Sequence, residues 1–441
     1  MLKKRKSNIA LLAILCLLGG LGKTNAQESL TLEQAITMGL ENNYDIRLSR
    51  KAVDIAETEN FIGNAGFLPE VTADGTYTES NQNTDLTFAD GSGINRENAK
   101  TTTLNAGVGA NWYIFDGTTM FVSKNQLEAV EKKSKYQLEA EINNSVAEIT
   151  NTYHQLVAEE KTLLIYQEQK ELSEAKFQLS KDRLSAGAGS ELEQSQSEVE
   201  LNADRAAVIE QEIIITQLKS KLNRLMGREV ETNFEAADSI RIVSDLTLEE
   251  LKQKVEENPN LKSYQQDLSI AVLNKKQTLA DRLPSLALNG RYSYNESESE
   301  AGFVQNNQTD GLTYGATVSI PIFNGMQRSR KSQVNKIQIE QSKLTYENEV
   351  AKVKEQLQVQ FQSYSRYQEL LKMEQRNAAV ADDNLKFAME SYKIGGISAL
   401  DLREIQLSTL QAKERLVAIK YTIKMAETEL LRLTNQLIEG K

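Results

Sequence analysis

Four segments of the chain alternate apolar and polar residues with a period of two. After Pro69, the apolar residues Val71, Ala73 and Tyr77 are separated by polar ones. This spacing is typical of a strand with one apolar face, and it predicts strands of roughly ten residues. The same alternation is found in three further segments, at residues 104–114, 286–294 and 314–322.

Strands of this length and polarity suit the wall of a membrane barrel, apolar towards lipid and polar towards a water-filled lumen. A soluble β-sandwich is the alternative for the same pattern. Four strands cannot close a barrel, and unpaired strand edges are not tolerated in lipid. The pattern therefore predicts an oligomer, with three copies closing one wall.

The remaining pattern is helical. The segments from Gly117 to Gly187 and from Gly325 to Gly395 have equal length, contain no proline and are rich in Glu, Gln, Lys, Leu and Ala. Each predicts one helix about 100 Å long, and a second helix follows each glycine break, at residues 191–226 and 399–436. Heptad spacing predicts coiled-coil packing for Val146, Ile149, Tyr153, Leu156 and Leu163, and for Leu416, Ile419, Ile423, Ala426, Leu430 and Leu433.

The chain contains the same series of signals twice. LTLEQA at residues 30–35 returns as LTLEEL at 246–251, and Phe-Asp-Gly at 115–117 returns as Phe-Asn-Gly at 323–325. Such self-similarity predicts two structural repeats, residues 27–229 and 246–441, joined by a linker at residues 230–245. Only the segment before Phe115 changes length between the copies. We therefore expect surface loops at residues 80–101 and 297–310, facing the cell exterior.

The N-terminus predicts a secretory signal peptide at residues 1–26. Lys3, Lys4, Arg5 and Lys6 precede an apolar run at residues 9–21, which is too short for a membrane anchor. Cys16, the only cysteine, lies inside this run, so no disulfide is expected. The formal net charge is −11, and loss of the basic leader makes it more negative, which argues against nucleic acid as a partner.

Two strand pairs, each followed by a long helical hairpin, resemble the TolC family of outer-membrane efflux proteins. The barrel–helix junctions that carry the resemblance are Pro69, Gly117, Pro284, Pro321 and Gly325. The first copy departs from the pattern, because residues 112–115 lack the proline that Pro321 supplies in the second copy.

The resemblance implies an α+β membrane protein, a trimeric β-barrel with four strands per chain continuous with a long α-helical coiled-coil barrel. It also implies a homotrimer in the outer membrane of a Gram-negative bacterium, with a periplasmic helical domain. The implied function is the exit duct of a tripartite efflux or type I secretion system. Its partners would be a periplasmic adaptor (membrane fusion protein) and an inner-membrane transporter, and no cofactor is implied.

The resemblance also assigns sites to the helix tips. Adaptor-docking tips are implied at Arg183, Gly187, Tyr392, Lys393 and Gly395. A periplasmic gate is implied at Glu193, Asp401 and Glu404, where three-fold symmetry would turn each acid into a ring. The alternative is an acidic first helical turn that interacts favourably with the helix dipole.

No enzymatic site is expected. His154, the only histidine, lies inside a predicted coiled coil without a second metal ligand at helical spacing. The sequence Gly-Ala-Gly-Ser at 187–190 lacks the Gly-Lys-Ser/Thr ending of a phosphate-binding loop. A periplasmic adaptor and a structural coiled-coil protein are the alternative functions. The transported substrate, whether drug, metal ion or polypeptide, stays open.

Overall fold

The computed structural model describes residues 28–242, 246–301 and 304–437, so the predicted signal peptide lies outside the described residues. The chain divides into two compact units. The helical unit comprises the described residues of Met1–Arg47, Ile142–Lys252 and Leu357–Lys441. The sheet unit comprises those of Leu48–Glu141 and Gln253–Gln356.

Long helices dominate the part of the chain that is described. Two of them, α3 and α7, each run for 67 residues, and the helices that follow them, α4 and α8, each run for 35. These four confirm the two predicted helical hairpins. The helices are α1 (Leu32–Asn42), α2 (Tyr44–Glu59), α3 (Thr119–Ser185), α4 (Glu191–Leu225), α5 (Leu248–Gln253), α6 (Pro259–Ala280), α7 (Gln327–Lys393) and α8 (Ala399–Leu433).

The described strands form two sheets. A two-stranded parallel sheet pairs β1 with β4, and an antiparallel sheet has the order β2-β3-β5-β6. Strand β4 lies inside the predicted linker at residues 230–245, where three residues were too few to show an alternation. The strands are β1 (Glu28–Leu30), β2 (Glu70–Thr87), β3 (Gly93–Asp116), β4 (Phe234–Ala236), β5 (Ser285–Ser299) and β6 (Asn306–Ser319).

The core of the helical unit forms where the small sheet packs on the long helices. Of the predicted heptad residues of α3, Val146, Ile149, Tyr153 and Leu156 are buried. The Tyr153 hydroxyl donates a hydrogen bond to the carbonyl oxygen of Leu30 at 2.8 Å, which ties β1 to the helix. Burial raises the pKa of Tyr153 to about 12, so this hydroxyl remains a donor at neutral pH.

The large sheet has one apolar and one polar face. Pairing places Tyr77 opposite Leu104, Trp112 opposite Leu288, and Leu288 opposite Ala316, so the alternations lie in register until a bulge between Tyr113 and Phe115 shifts the end of β3. The apolar face is exposed within one chain, with Tyr314 at 82% and Val318 at 66%. Among the described strands, β2 and β6 form the edges and each has a single neighbour in the sheet.

None of the described helices combines the length and the apolarity needed to cross a membrane.

The hairpins are longer than the sequence predicts. Residues 80–101 were expected to be a loop, yet β2 and β3 pair until Thr87 and Gly93 and leave a turn at residues 88–92. The expected loop at 297–310 overlaps both strands in the same way, since β5 continues to Ser299 and β6 begins at Asn306. These strand ends are polar on both faces, so their sequence lacks the alternation of apolar and polar residues that predicts a strand. Backbone hydrogen bonding between strands does not depend on that alternation.

The two strand-to-helix junctions share one backbone conformation. Gly117 and Gly325 have φ values of 71° and 64°, and the next residues, Thr118 and Met326, have φ values of 77° and 64°. A β-branched threonine rarely adopts positive φ, so Thr118 is strained. The copies differ before the junction: β6 ends at Ser319, ahead of Pro321, which cannot donate a backbone hydrogen bond, whereas β3 continues to Asp116.

A salt bridge crosses the polar face of the sheet from β5 to β2. The Arg291 guanidinium donates to both carboxylate oxygens of Asp74, at 2.7 and 2.6 Å. The intervening strand β3 has Gly107 opposite Asp74 and Gly109 opposite Arg291. A Cβ atom at Gly107 would lie 2.6 Å from Arg291 Nη2 and 2.9 Å from the carbonyl oxygen of Tyr292. Gly107 therefore leaves the space in which the arginine lies across β3.

Gly107→Ala is expected to displace this guanidinium and lower the melting temperature of the sheet slightly, because exposed ion pairs contribute little stability. Gly109→Ala is the matched control, because its Cβ would meet Arg291 Nη1 at 3.4 Å, an ordinary contact. Thermal loss of the β-sheet circular dichroism signal in detergent measures the difference. Equal melting temperatures for the two variants would contradict this role of Gly107.

Candidate functional site

The long helices turn back at two equivalent glycine tips. Gly187 and Gly395 have φ values of 72° and 80°, a left-handed conformation that glycine adopts without strain. The side chains of Ser190 and Ser398 then cap α4 and α8 by accepting hydrogen bonds from the backbone nitrogens of Glu193 and Asp401. The internal repeat therefore extends to the geometry of both tips.

Three of the predicted site residues meet near these tips. The Tyr392 hydroxyl donates to Glu193 Oε1 at 2.8 Å. The Arg183 guanidinium lies 4.8 Å from the centre of the Tyr392 ring, and Nη2 donates to the Tyr392 carbonyl oxygen at 3.0 Å. Arg183 Nη1 also lies 3.5 Å from Glu193 Oε1. We call Arg183, Glu193 and Tyr392 the tip latch, because they tie the hairpin α3–α4 to α7.

The latch is largely shielded from solvent. Tyr392 is 2% exposed, and the side chains of Arg183 and Glu193 are each 24% exposed. Burial and the hydrogen bond to Glu193 raise the pKa of Tyr392 to about 12. The tyrosine therefore stays protonated at neutral pH and keeps its bond to the carboxylate.

The other predicted gate residues have a different environment. The Asp401 carboxylate accepts hydrogen bonds from the Ser398 hydroxyl at 2.7 Å and from its backbone nitrogen at 3.1 Å, which completes a capping box. These bonds lower the pKa of Asp401. Glu404 is exposed three residues further along α8, on the same helix face. The capping role of Asp401 is thus visible, and its role at a gate stays a prediction.

The remaining tip and junction residues lie at element boundaries. Lys393 ends α7, and its carbonyl oxygen lies 3.5 Å from Arg183 Nη2. Pro69 and Pro284 directly precede β2 and β5.

A buried ionic layer lies near the tips, and the sequence did not predict it. Arg403 on α8 donates to both carboxylate oxygens of Asp204 on α4 at 2.9 Å. Gln169 and Ser173 on α3 also donate to Asp204. Burial alone would raise the pKa of Asp204, but the hydrogen bonds from Arg403 and Ser173 and the guanidinium charge outweigh it and lower the pKa. We call this cluster the Asp204 layer.

A second ion pair, formed by a buried lysine and a partly buried glutamate, adjoins this layer. Lys176 on α3, at 2% exposure, donates to Glu200 at 2.7 Å and to the carbonyl oxygen of Ala399 at 3.0 Å.

One sequence signal could have revealed the Asp204 layer. Asp204 occupies the heptad column of α4 that also contains Ser197, Leu201 and Val208, so a charged residue falls where the pattern predicts an interior position.

His154 lies in the packed core. It is 3% exposed, and its ring contacts that of Tyr153 edge-on, with 5.8 Å between centroids. Burial and the nearby Lys424 ammonium lower its pKa to about 4, so the imidazole is neutral at neutral pH. Within residues 28–242, 246–301 and 304–437, no group of three or more His, Cys, Asp or Glu is arranged to hold a metal ion.

Residues 35–228 and 251–436 match the family described as "Outer membrane efflux protein". The chain belongs to this family. It is 23% identical over 438 residues to the proteases secretion protein PrtF of Dickeya chrysanthemi, with 95% of this chain and 89% of PrtF covered. It is 20% identical over 416 residues to the probable efflux pump outer membrane protein TtgC of Pseudomonas putida, with 91% and 82% covered.

A solved structure shares the fold of this outer membrane efflux protein. The Campylobacter jejuni CmeC outer membrane channel matches with a TM-score of 0.74 at 16% identity, covering 92% of this chain and 85% of CmeC. The expected α+β channel fold with two internal repeats is confirmed, and so is the resemblance to the TolC family. The protein is an exit duct of the outer membrane with a periplasmic helical domain.

Proposed function

We propose that three copies of this chain form one passive duct in a tripartite efflux or type I secretion system. The observation that carries the proposal is the sheet with an exposed apolar face and two single-partnered edges, β2 and β6. Unpaired strand edges are costly in lipid, and closure against other copies removes them.

Each copy contributes two repeats to the duct. Repeat one spans residues 27–229, the linker 230–245 and repeat two 246–441, and the two family matches fall one in each repeat. A periplasmic adaptor docks at the tips around Arg183, Gly187, Tyr392, Lys393 and Gly395, where Gly187, Lys393 and Gly395 are the exposed residues. The adaptor connects the duct to an inner-membrane transporter.

The substrate class stays open. PrtF is named for protease secretion, TtgC for an efflux pump, and CusC of Escherichia coli, 21% identical over 412 residues, for cation efflux. One duct fold therefore accompanies different cargoes. Selection of the cargo belongs mainly to the inner-membrane transporter.

The gate consists of acidic rings at the tips. Asp401 and Glu404 share one face of α8, and three-fold symmetry places six of these carboxylates around one axis. Like charges in a confined space attract cations. Glu193 also belongs to the gate, and it connects α4 to α7 at the tips by accepting the hydrogen bond from Tyr392.

The double variant Asp401→Ala/Glu404→Ala is expected to lose cation selectivity in planar bilayers, because it lacks the negative rings. Block by multivalent cations added from the periplasmic side should weaken for the same reason. Glu390→Ala is the control, since Glu390 is an exposed acid on α7 that the gate does not include.

Light scattering in mild detergent should report a trimer for all three proteins. A monomeric mass for the unmodified protein would refute the proposed assembly. Unchanged selectivity and block in the double variant would leave Asp401 with its capping role alone.

A further inference from the structure

The outer face of α4 carries an apolar column that stays exposed among the described residues of the chain. Its inner face packs through Leu201, Val208 and Ile215, which are buried. On the opposite face, Leu192, Val199 and Ile213 are 67%, 69% and 52% exposed, and Ala206 completes their seven-residue spacing. Single exposed apolar residues are ordinary, but a heptad column is the signature of a coiled-coil contact.

Helix α7 carries a matching column. Its inner face buries Leu385, Ala388 and Tyr392. The opposite face repeats an exposed apolar residue every seven positions: Met373 at 60%, Val380 at 59%, Phe387 at 70% and Ile394, directly after the helix, at 86%. We call these two sets the α4 column and the α7 column.

The two columns fit each other in antiparallel register. Helix α4 begins at one tip turn and α7 ends at the other. If the two tips lie at the same height, this fixes which residue of α4 lies opposite which residue of α7. Both columns become polar at the same layer, where Ser220 follows on α4 and Arg366 on α7. The four layers are Leu192 with Ile394, Val199 with Phe387, Ala206 with Val380, and Ile213 with Met373.

Charges beside the columns follow the same register. The residue preceding each column position is mostly acidic on α4 and mostly basic on α7, and these flanking positions face each other in an antiparallel pair. The one base on the α4 side, Arg205, meets Ala379 rather than a like charge. The flanking pairs are Glu191 with Lys393, Glu198 with Lys386, Arg205 with Ala379, and Glu212 with Lys372.

We propose that the α7 column of one copy packs on the α4 column of the next copy. Within one chain both columns are exposed, even though Glu193 and Tyr392 meet close to the tips, so the complementary surface belongs to a second copy. Such a contact joins two different surfaces, and repeated around an axis it closes a ring. The proposal rests on the trimer of the proposed function and names its helical seam.

Engineered cysteines test the register directly, in a Cys16→Ser background that removes the only native cysteine. Ala206→Cys/Val380→Cys places both thiols in one layer, so oxidation in outer membranes should link most chains into covalent dimers and trimers. Ala206→Cys/Met373→Cys is one heptad out of register, about 10 Å along the helix. This distance exceeds the Cα separation that a disulfide allows, so covalent dimers and trimers should be absent.

A charge exchange tests the flanks. Glu212→Lys and Lys372→Glu, both at exposed positions, should each reduce the fraction of trimer in detergent. The combination Glu212→Lys/Lys372→Glu should restore the trimer, because it recreates an opposite-charge pair. If the double variant lost as much trimer as the two single variants together, the proposed pairing of Glu212 with Lys372 would be overturned.

The possible outcomes separate the seam from the duct. A trimer without cross-links in the Ala206/Val380 variant overturns the seam and leaves the proposed function intact. A cross-link confined to monomers also overturns the seam, since it would place the columns against each other in one chain. A monomeric mass for the unmodified protein overturns both.

Discussion

Asp204→Ala is expected to destabilise the helical unit by roughly 3–5 kcal/mol, because it leaves a buried arginine without its carboxylate. The side chains of Asp204 and Arg403 are only 8% and 14% exposed. The guanidinium would lose two hydrogen bonds of 2.9 Å and could not move into water without opening the contact between α4 and α8. The midpoint of chemical denaturation in detergent, followed by helical circular dichroism, measures the loss.

The neighbouring residue supplies the control. Arg205 pairs with Glu174 between α4 and α3, but these side chains are 52% and 44% exposed. Arg205→Ala should therefore cost less than about 1 kcal/mol. The double variant Asp204→Leu/Arg403→Leu should cost less than Asp204→Ala, since it removes both charges. An Asp204→Ala variant as stable as Arg205→Ala would show that solvent or another group compensates Arg403.

The same layer has a defined dependence on pH. The pKa of Asp204 is lowered in the folded protein, so the layer contributes its full stability above the carboxyl's unfolded pKa, about 4. This stability is lost as the pH falls through the lowered folded value. Asp204→Ala removes that part of the acid sensitivity, and a denaturation series between neutral and acidic pH would detect it.

The long helices and the repeat could be predicted because their causes are local. Residues 119–185 contain no proline and keep an apolar heptad spacing, so intrinsic propensity and packing favour the same structure. The tips were predictable for a similar reason, since Gly187 and Gly395 are placed where the chain needs positive φ. Local signals of this kind also located the four strands of the sheet.

The contacts that build the site depend on residues far apart in the chain. Asp204 and Arg403 are 199 positions apart, as are Glu193 and Tyr392, and no periodicity relates one partner to the other. The family resemblance pointed to Arg183, Glu193 and Tyr392, but in separate roles. It placed Glu193 in the acidic gate, and it placed Arg183 and Tyr392 in the adaptor-docking tips. Only the packing of α3, α4 and α7 brings the three side chains into one latch.

Opening of this latch is expected to give the largest change in transport. The double variant Glu193→Gln/Tyr392→Phe removes the carboxylate charge and the hydroxyl that donates to it at 2.8 Å. A hydrogen bond to a charged group contributes about 1.5–3 kcal/mol, which corresponds to a tenfold or greater shift per chain between closed and open tips. Conductance of single channels in planar bilayers should therefore rise, and long-lived closed periods should shorten.

The control for this experiment lies on the same helix. Tyr367→Phe also removes a hydroxyl from a half-buried tyrosine of α7, but at a position outside the latch. Its conductance should equal that of the unmodified protein. Because the raised pKa of Tyr392, about 12, keeps the hydroxyl protonated, the difference between the two variants should persist across neutral pH. If both variants conduct like the unmodified channel, the latch holds the tips together without controlling their opening.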